Sequence, residues 1–332
     1  MQTAVASIFI FLIVVTLHEL GHFLVAKKVG IKVNEFSIGL GPKLFQRKKG
    51  DTMYSLRALP IGGYAAMEGE DEASDVEGSF DSVSPFKRIL VVAAGPLVNY
   101  VLALSVFIGV FICTGITVNT VNTVNENSPA QVAGIMSKDS IVSVNGFKIN
   151  NVSEISQKIN ESKEGDIVNI KVLRNGEEKD LKVRPKTENG RKVIGIEYDK
   201  RVSVVGGIKK GFEFFVRLHK IMVNVFLDLF RGKVGLMDLS GPVGVVKEIG
   251  KAASLGFTNL MIFLGFISLN LGFFNFLPIP ALDGGRLVFL IFELITSKKL
   301  SKEREGQIHF IGFVLLLTLM LVVSIKDVIK LV

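Results

Sequence analysis

Four long apolar stretches, separated by polar segments, give the chain its main pattern. They lie at about 4–26, 89–114, from Thr258 onward, and 308–325. A helix that crosses a bilayer needs about 20 apolar residues, so each stretch is long enough to span a membrane. The third is interrupted by Asn275, two prolines and Asp283-Gly284-Gly285, before a further apolar run over Leu287–Ile295. The pattern predicts a polytopic α-helical membrane protein with about four transmembrane helices.

A different pattern fills residues 117–187, where short β-branched runs alternate with turn residues. Such alternation is typical of a small β-rich domain. The predicted strands are Ile116–Val124, Ile141–Val144, Ile167–Leu173 and Lys179–Val183, with turns at Asn145-Gly146 and Asn175-Gly176 and short helices at 128–134 and Val152–Ile159. The chain is thereby divided into residues 1–114, 115–190, 191–257 and 258–332.

Two further segments each leave two interpretations open. Between Gly206 and Gly256 apolar residues recur at helical spacing, which indicates an amphipathic helix on the outer membrane face or a helix facing the core of the soluble region. Residues 31–66 are rich in glycine and β-forming residues. They form either a re-entrant β-hairpin, whose backbone groups are satisfied against the helices, or a plain cytoplasmic loop. The acidic stretch Glu68–Ser84 is expected to be a mobile surface loop.

Charge sets the expected orientation in the membrane. The net charge is +8, and basic residues are concentrated between the first and second stretches and again between the third and fourth. Cytoplasmic loops carry such an excess. We therefore expect a multi-pass plasma-membrane protein with residues 27–88 and 297–307 in the cytoplasm and residues 115–257 outside.

Composition also excludes several classes of function. Aromatic residues are not interleaved with the basic ones, so a nucleic-acid partner is not expected. The single cysteine, Cys113, excludes a disulfide framework and a cysteine metal site. No basic residue precedes the first apolar run, so that run is not expected to be a cleaved signal peptide.

The first apolar stretch contains a group of ionisable residues, His18-Glu19-Leu20-Gly21-His22. Residues four apart share one face of a helix, so His18 and His22 can bind one metal ion with Glu19 beside it as a general base. Ionisable groups at membrane depth are costly and usually functional. Two histidines packed against polar neighbours are the structural alternative.

Catalytic zinc normally takes three protein ligands and keeps one position for water. Asp283 is the best candidate for the third ligand, because it is the one acidic residue of the Asn275–Leu290 segment and lies at the helix break. Glu293 is a weaker rival, since it lies close to the basic residues that follow the third stretch.

Together these motifs resemble the site-2 protease family of intramembrane zinc metalloproteases. The resemblance rests on His18–His22, on Asn275–Gly284 with its Leu-Asp-Gly element, and on Gly95-Pro96-Leu97-Val98-Asn99. It covers nearly the whole chain and is greatest to bacterial regulators that cut membrane-spanning anti-sigma factors. It implies an extracytoplasmic PDZ-like α+β domain at 115–190 and a membrane-associated β-hairpin before it.

The resemblance also implies a set of roles. His18, His22 and Asp283 would hold one Zn²⁺ per chain, and Glu19 would be the catalytic base. Asn275 and Asn99 are candidates for contacting the substrate or its oxyanion, although Asn99 is equally compatible with a helix–helix hydrogen bond. Gly62, Gly63 and Tyr64 belong to a β-prone segment that could pair with an unwound substrate.

The function expected is an intramembrane zinc endopeptidase acting on single-pass transmembrane proteins, with membrane lipid as its surroundings. Anti-sigma factors and remnant signal peptides are the substrates that the resemblance implies. A catalytically silent zinc-binding scaffold and a metal transporter are the alternatives. Glu19 disfavours the scaffold, because holding zinc does not require it, and a transporter would more naturally show internal repeats.

Overall fold

The computed structural model describes residues 1–70, 74–163, 165–188, 190–235 and 240–329. It divides into two compact units, a first unit of residues 1–110 and 211–332 and a second unit of residues 111–210. The helices are α1 (Gln2–Val29), α2 (Pro85–Thr114), α3 (Pro129–Val132), α4 (Val152–Glu161), α5 (Val204–Phe230), α6 (Pro242–Ser254), α7 (Phe257–Phe276), α8 (Asp283–Thr296) and α9 (Lys302–Ile329). The strands are β1 (Val33–Lys49), β2 (Thr52–Met67), β3 (Ile116–Val124), β4 (Ser140–Val144), β5 (Phe147–Lys148), β6 (Val168–Arg174), β7 (Glu177–Val183), β8 (Lys186–Glu188), β9 (Arg191–Val193) and β10 (Ile196–Arg201).

Within the described residues, four helices are long and apolar enough to cross a membrane, in agreement with the sequence. They are α1, α2, α7 and α9, with mean hydropathies between 1.7 and 2.6. The predicted break of the third stretch is the segment 277–282 between α7 and α8. Pro278 and Pro280 cannot continue a helix there. A Cβ at Gly285 would lie 2.5 Å from the carbonyl oxygen of Ile279, so the glycine lets the connecting segment fold back against α8.

Strands β1 and β2 form one sheet in which the hairpin doubles back on itself. Residues 33–40 pair with 59–67 on one side and with 53–56 on the other, and residues 43–49 pair with 52–57. The order across the sheet is therefore 43–49, 52–57, 33–40 and 59–67. The interpretation of 31–66 as a plain loop is wrong, because nearly every residue in it belongs to a strand.

The sheet packs on α1 through aromatic side chains. Phe23 of α1 has its ring centroid 5.0 Å from that of Phe36 and 5.9 Å from that of Tyr54. The expectation of a mobile surface loop after the sheet is wrong for its described part. Phe80 is 4% exposed, and Asp81 forms ion pairs with Lys299 at 2.6 Å and Lys302 at 2.5 Å. Residues 71–73 of that stretch lie outside the described residues.

The amphipathic helix expected after Gly206 is α5. From Gly211 onward it packs on α2 and α7, with Phe214 edge-on to Phe107 at 5.0 Å between ring centroids and Met222 buried in the same cluster. The helix therefore faces the apolar helices of the first unit. A second helix, α6, follows it, and both Gly241 and Gly244 donate backbone hydrogen bonds of 2.8 Å to the Asp327 carboxylate of α9.

The second unit is built on an antiparallel sheet with the strand order β10-β3-β4-β6-β7, and β5 pairs with β4. Its core consists of inward-facing aliphatic residues, among them Val121, Ile141, Ile155 and Ile170. The predicted strands and both short helices are present. The sheet continues past the predicted boundary at residue 190, because β10 pairs with β3.

Candidate metal centre

The site is built where α1 crosses α2 at very short distance. Gly21 faces the carbonyl oxygen of Ala94, which would lie 2.6 Å from a Cβ at position 21. Gly95 lies directly under the His22 ring, and a Cβ there would overlap the imidazole. Two glycines on facing helices therefore bring the backbones close enough for the His22 ring to contact α2 at Gly95.

Three side chains from distant parts of the chain converge at this crossing. His18 Nε2 lies 3.2 Å from Asp283 Oδ2, His22 Nε2 lies 3.6 Å from the same oxygen, and the two Nε2 atoms are 3.2 Å apart. The histidines are 6% and 7% exposed. Asp283 is the first residue of α8, so the helix break places its carboxylate beside the histidines. The predicted residues are thus brought together.

The distances and donor types fit a bound zinc ion. Ligand atoms about 2.0–2.1 Å from a tetrahedral zinc are separated from one another by about 3.3–3.4 Å, close to the separations found here. His22 Nδ1 lies 2.9 Å from the carbonyl oxygen of Val91, so Nδ1 carries the proton and Nε2 presents a lone pair. Asp283 Oδ2 is buried and receives no hydrogen bond from the described residues. A lone pair and a carboxylate oxygen at this distance repel unless a cation lies between them.

Glu19 lies beside this cluster and against the edge of the sheet. Its carboxylate is close enough to His18, His22 and Asp283 for their charges to act on it. A Cβ built at Gly63 would lie 3.7 Å from Glu19 Cγ, so β2 runs directly past Glu19. No hydrogen bond from a described residue holds the Glu19 carboxylate, which leaves it available to a water molecule.

The other predicted residues of the sheet have different surroundings. Gly62 has φ +83°, a left-handed conformation that favours glycine, and it lies next to Leu40. Arg57 donates a hydrogen bond to the Tyr64 hydroxyl oxygen and also pairs with Glu35 at 2.9 Å. Burial, together with the hydrogen bond and charge of Glu35, raises the pKa of Tyr64. Its hydroxyl therefore stays protonated at neutral pH.

The two asparagines are both buried. Asn99 is fully buried, and its amide nitrogen lies 3.1 Å from His18 Nδ1, so it contacts one of the candidate metal ligands. Asn275 is 8% exposed, and its side chain makes no hydrogen bond to the described residues. Glu293, the rival ligand, pairs with the buried Arg88 at 2.6 Å instead of joining the cluster.

A cavity of about 440 Å³, lined by both charged and apolar side chains, opens beside Asp283. It is lined by Glu70, Arg286, Glu305 and His309 in addition to Asp283. His309 Nδ1 accepts a hydrogen bond of 2.9 Å from the backbone N–H of Ala281, which ties α9 to the segment before Asp283. No local sequence pattern links His309 to a residue 28 positions earlier, so its place beside this cavity cannot be predicted from the sequence.

A family model described as "Peptidase family M50" matches residues 6–319 of the chain. The chain belongs to peptidase family M50. Among the curated relatives of this M50 peptidase, a provisionally named zinc metalloprotease of Clostridium acetobutylicum is 40% identical over 98% of this chain and 97% of the relative. The zinc metalloprotease RasP of Shouchella clausii is 31% identical over the full length of both chains. The regulator of sigma-W protease RasP of Bacillus subtilis is 31% identical over 98% of each chain.

Two solved structures, the PDZ domains of SdrC-like proteins from Listeria innocua and Listeria monocytogenes, also match the M50 peptidase. They are 27% and 21% identical, cover 26% and 25% of this chain and 97% and 88% of their own length, and have a TM-score of 0.23 each. Membership of the family and the names of the relatives make the M50 peptidase a metalloprotease, and they imply zinc as its metal. The predicted family resemblance and the expectation of an enzyme are confirmed.

Proposed function

We propose that the chain is an intramembrane zinc endopeptidase that cuts the transmembrane segments of single-pass membrane proteins. The observation that carries the proposal is the convergence of Asp283 with His18 and His22, which lie on α1, a helix long and apolar enough to cross a bilayer. One zinc ion per chain would be held by these three residues, with a fourth position left for water.

The roles of the residues follow from their chemistry. When bound, zinc would lower the pKa of its water and polarise the scissile carbonyl. Glu19 takes the proton of the attacking water and later delivers it to the leaving amine. The cavity beside Asp283, whose lining includes charged side chains, gives water an approach to residues that are otherwise surrounded by apolar helices.

The substrate would be held as an added strand on the sheet edge formed by residues 59–67. A transmembrane helix hides its peptide bonds in internal hydrogen bonds, so cutting it requires local unwinding. Among the described residues, segment 59–67 pairs only with 33–40, which leaves its other edge open for strand addition. Gly63 lies on this segment beside Glu19, so an added strand would bring its peptide bonds toward the catalytic base.

The second unit would act as an extracytoplasmic PDZ-like domain. A cavity of about 540 Å³ lies beside α4 and β10 and is lined by Ser156, Lys192, Gly195 and Tyr198 among others. It could receive the carboxylate end of a trimmed substrate, or the unit could exclude substrates whose outer domains are intact. Deleting residues 117–186 separates these: cutting of untrimmed substrates supports exclusion, and loss of cutting of trimmed substrates supports recognition.

The proposed orientation places residues 27–88 and 297–307 in the cytoplasm and the second unit outside the plasma membrane. The basic residues of both loops support it. Single cysteines introduced into a Cys113→Ser background at Asp51 and at Lys179 test it by labelling of intact cells with a membrane-impermeant reagent. Labelling of the cysteine at 179 alone supports the orientation, and labelling of the one at 51 alone contradicts it.

The proposed substrates are membrane-spanning anti-sigma factors, with remnant signal peptides as a second class. The Bacillus subtilis relative is named for regulation of sigma-W, and its length is matched almost completely. Trapping membrane proteins on the Glu19→Gln variant and identifying them by mass spectrometry names the substrate directly.

The experiment that tests the catalytic proposal compares the wild type with Glu19→Gln in lipid vesicles. We expect the variant to keep its zinc and to lose cleavage of a single-pass substrate by a factor of about 10²–10⁴, the usual contribution of a general base. Absence of cleavage by the zinc-loaded wild type would support the scaffold, and zinc flux across the vesicle wall would support the transporter.

A further inference from the structure

On the face of α2 that contacts α1, the residues that meet the two histidines recur at the same four-residue spacing as the histidines themselves. His18 and His22 are four residues apart on α1, and Val91, Gly95 and Asn99 recur every four residues on α2. Residues four apart lie above one another on a helix. His22 meets Val91 and Gly95, and His18 meets Asn99, so the helices run in opposite directions here.

The polar partner of His22 on α2 is the helix backbone. Its Nδ1 donates to the carbonyl oxygen of Val91, and its ring occupies the space that the missing side chain of Gly95 leaves. Pro96 follows directly and has no N–H, so the carbonyl oxygen of Val92, the neighbour of Val91, loses its donor within the helix. The result is a ring whose Nε2 points at Asp283.

His18 has one polar neighbour on α2, the Asn99 amide. Asn99 is fully buried, its nitrogen lies 3.1 Å from His18 Nδ1, and its Oδ1 has no hydrogen-bond partner among the described residues. If His18 Nε2 binds a metal, Nδ1 must carry the proton and needs an acceptor. A half-turn of the amide, whose oxygen and nitrogen have nearly the same size, supplies that acceptor.

The packing of α2 on α7 does not account for the Asn99 side chain. The bond that joins α2 to α7 here runs from Ser268 Oγ to the backbone carbonyl oxygen of Asn99 at 2.8 Å. It would form with any residue at position 99. The polar partner of the Asn99 amide is therefore His18.

We propose that Val91, Gly95 and Asn99 act as one template that holds both histidines with Nε2 toward the metal, and that Asn99 is the positioning residue for His18. This inference rests on the proposed function, because it concerns the proposed zinc ligands. Partners behind zinc-bound histidines commonly change metal affinity 10–100-fold when they are removed.

Zinc affinity tests the role of Asn99 without relying on activity. The purified full chain in detergent is titrated with zinc against a chelator, and the cobalt form is compared by its absorption spectrum. We expect Asn99→Leu to weaken zinc 10–100-fold and to alter the cobalt spectrum. Asn99→Asp keeps an acceptor and is expected to bind zinc within about threefold of the wild type.

Matched controls separate positioning from packing. Ser268→Ala removes the bond between α2 and α7 but leaves the amide, so its zinc affinity should stay within about threefold of the wild type. Gly95→Ala should weaken zinc by at least tenfold although alanine favours a helix. Gly109→Ala in the same helix, where an added Cβ meets no other atom within 4 Å, should not weaken it.

The outcomes distinguish this inference from the proposed function. Zinc affinity and cobalt spectra of Asn99→Leu that equal those of the wild type overturn the inference for Asn99, and an unchanged affinity of Gly95→Ala overturns the template. If Asn99→Leu does not fold, a loss in Asn99→Asp equal to that in Gly95→Ala also overturns the role of the acceptor. A wild type that binds no zinc instead refutes the proposed function.

Discussion

Replacing Gly63 with alanine is expected to slow catalysis while leaving the metal in place. A Cβ at this position would lie 2.7 Å from the carbonyl oxygen of Ser37, the neighbouring strand, and 3.7 Å from Glu19 Cγ. Ordinary contact begins at 3.4 Å. The strand must therefore shift by about 0.7 Å, at the point where it passes the proposed catalytic base.

The size of the effect follows from that shift. Misplacement of reacting groups by about 1 Å can cost about 10²-fold in rate, so we expect kcat/KM to fall about 10–100-fold. Gly63 does not have a positive φ, so alanine introduces no backbone strain of its own. The zinc content should equal that of the wild type, because the proposed zinc ligands lie on α1 and α8 and not on β2.

The assay is cleavage of a single-pass substrate in vesicles, with zinc measured in the same preparation. Gly109→Ala is the control, since it adds a methyl group where an added Cβ meets no other atom within 4 Å. Gly63→Ala that cuts as fast as the control would refute the argument that β2 positions the substrate beside Glu19.

Three further predictions concern other parts of the chain. Ala65→Pro, on the proposed substrate edge, should slow cleavage while the zinc content stays unchanged. Cleavage at the wild-type rate would exclude binding of the substrate as an added strand. Arg88→Met should destabilise the first unit by about 3 kcal/mol, because it leaves Glu293 without its buried partner, and this is measured as a lower melting temperature in detergent. Adding Glu293→Gln should restore part of the lost stability, and a double variant as unstable as Arg88→Met would contradict the pairing. Burial acts to raise the pKa of Asp139, but hydrogen bonds from Arg174 and Met136 outweigh it and lower that pKa. The stability it contributes is therefore present above the unfolded value of about 3.9 and is lost as pH falls through the folded value. Pepsin should cut the second unit of the wild type faster with each step below pH 4. If the wild type and Asp139→Asn resist pepsin equally at every pH, ionisation of Asp139 is not the source of the pH dependence.

Local sequence patterns predict the structure correctly where the residues that contact one another lie close together in the sequence. The four-residue spacing of His18 and His22 fixes their common face on a helix, and Asn145-Gly146 and Asn175-Gly176 form the predicted turns, with positive φ at both residues of each pair. Asp283 was found because it is the single acidic residue at a helix break. Its distance from His18 could be inferred only from chemistry, since no periodicity links residues so far apart.

Patterns failed where the partner lies far along the chain. Asp81 is in an acidic, polar stretch, and only the structure shows that Lys299 and Lys302 hold it. The double pairing of residues 33–40 arises from the bend at Gly39–Gly41, where both glycines have positive φ. Four of the six residues of strand β10 are charged, so backbone pairing and not hydrophobic alternation places it beside β3.

The proposed function requires that residues from α1 and α8 hold one hydrolytic zinc ion. Zinc bound per chain, measured by mass spectrometry on purified wild type and Asp283→Ala after equal dialysis against a weak chelator, tests it most directly. We expect one zinc per wild-type chain and a loss of most of it in the variant. Equal, tightly held zinc in both proteins would contradict it.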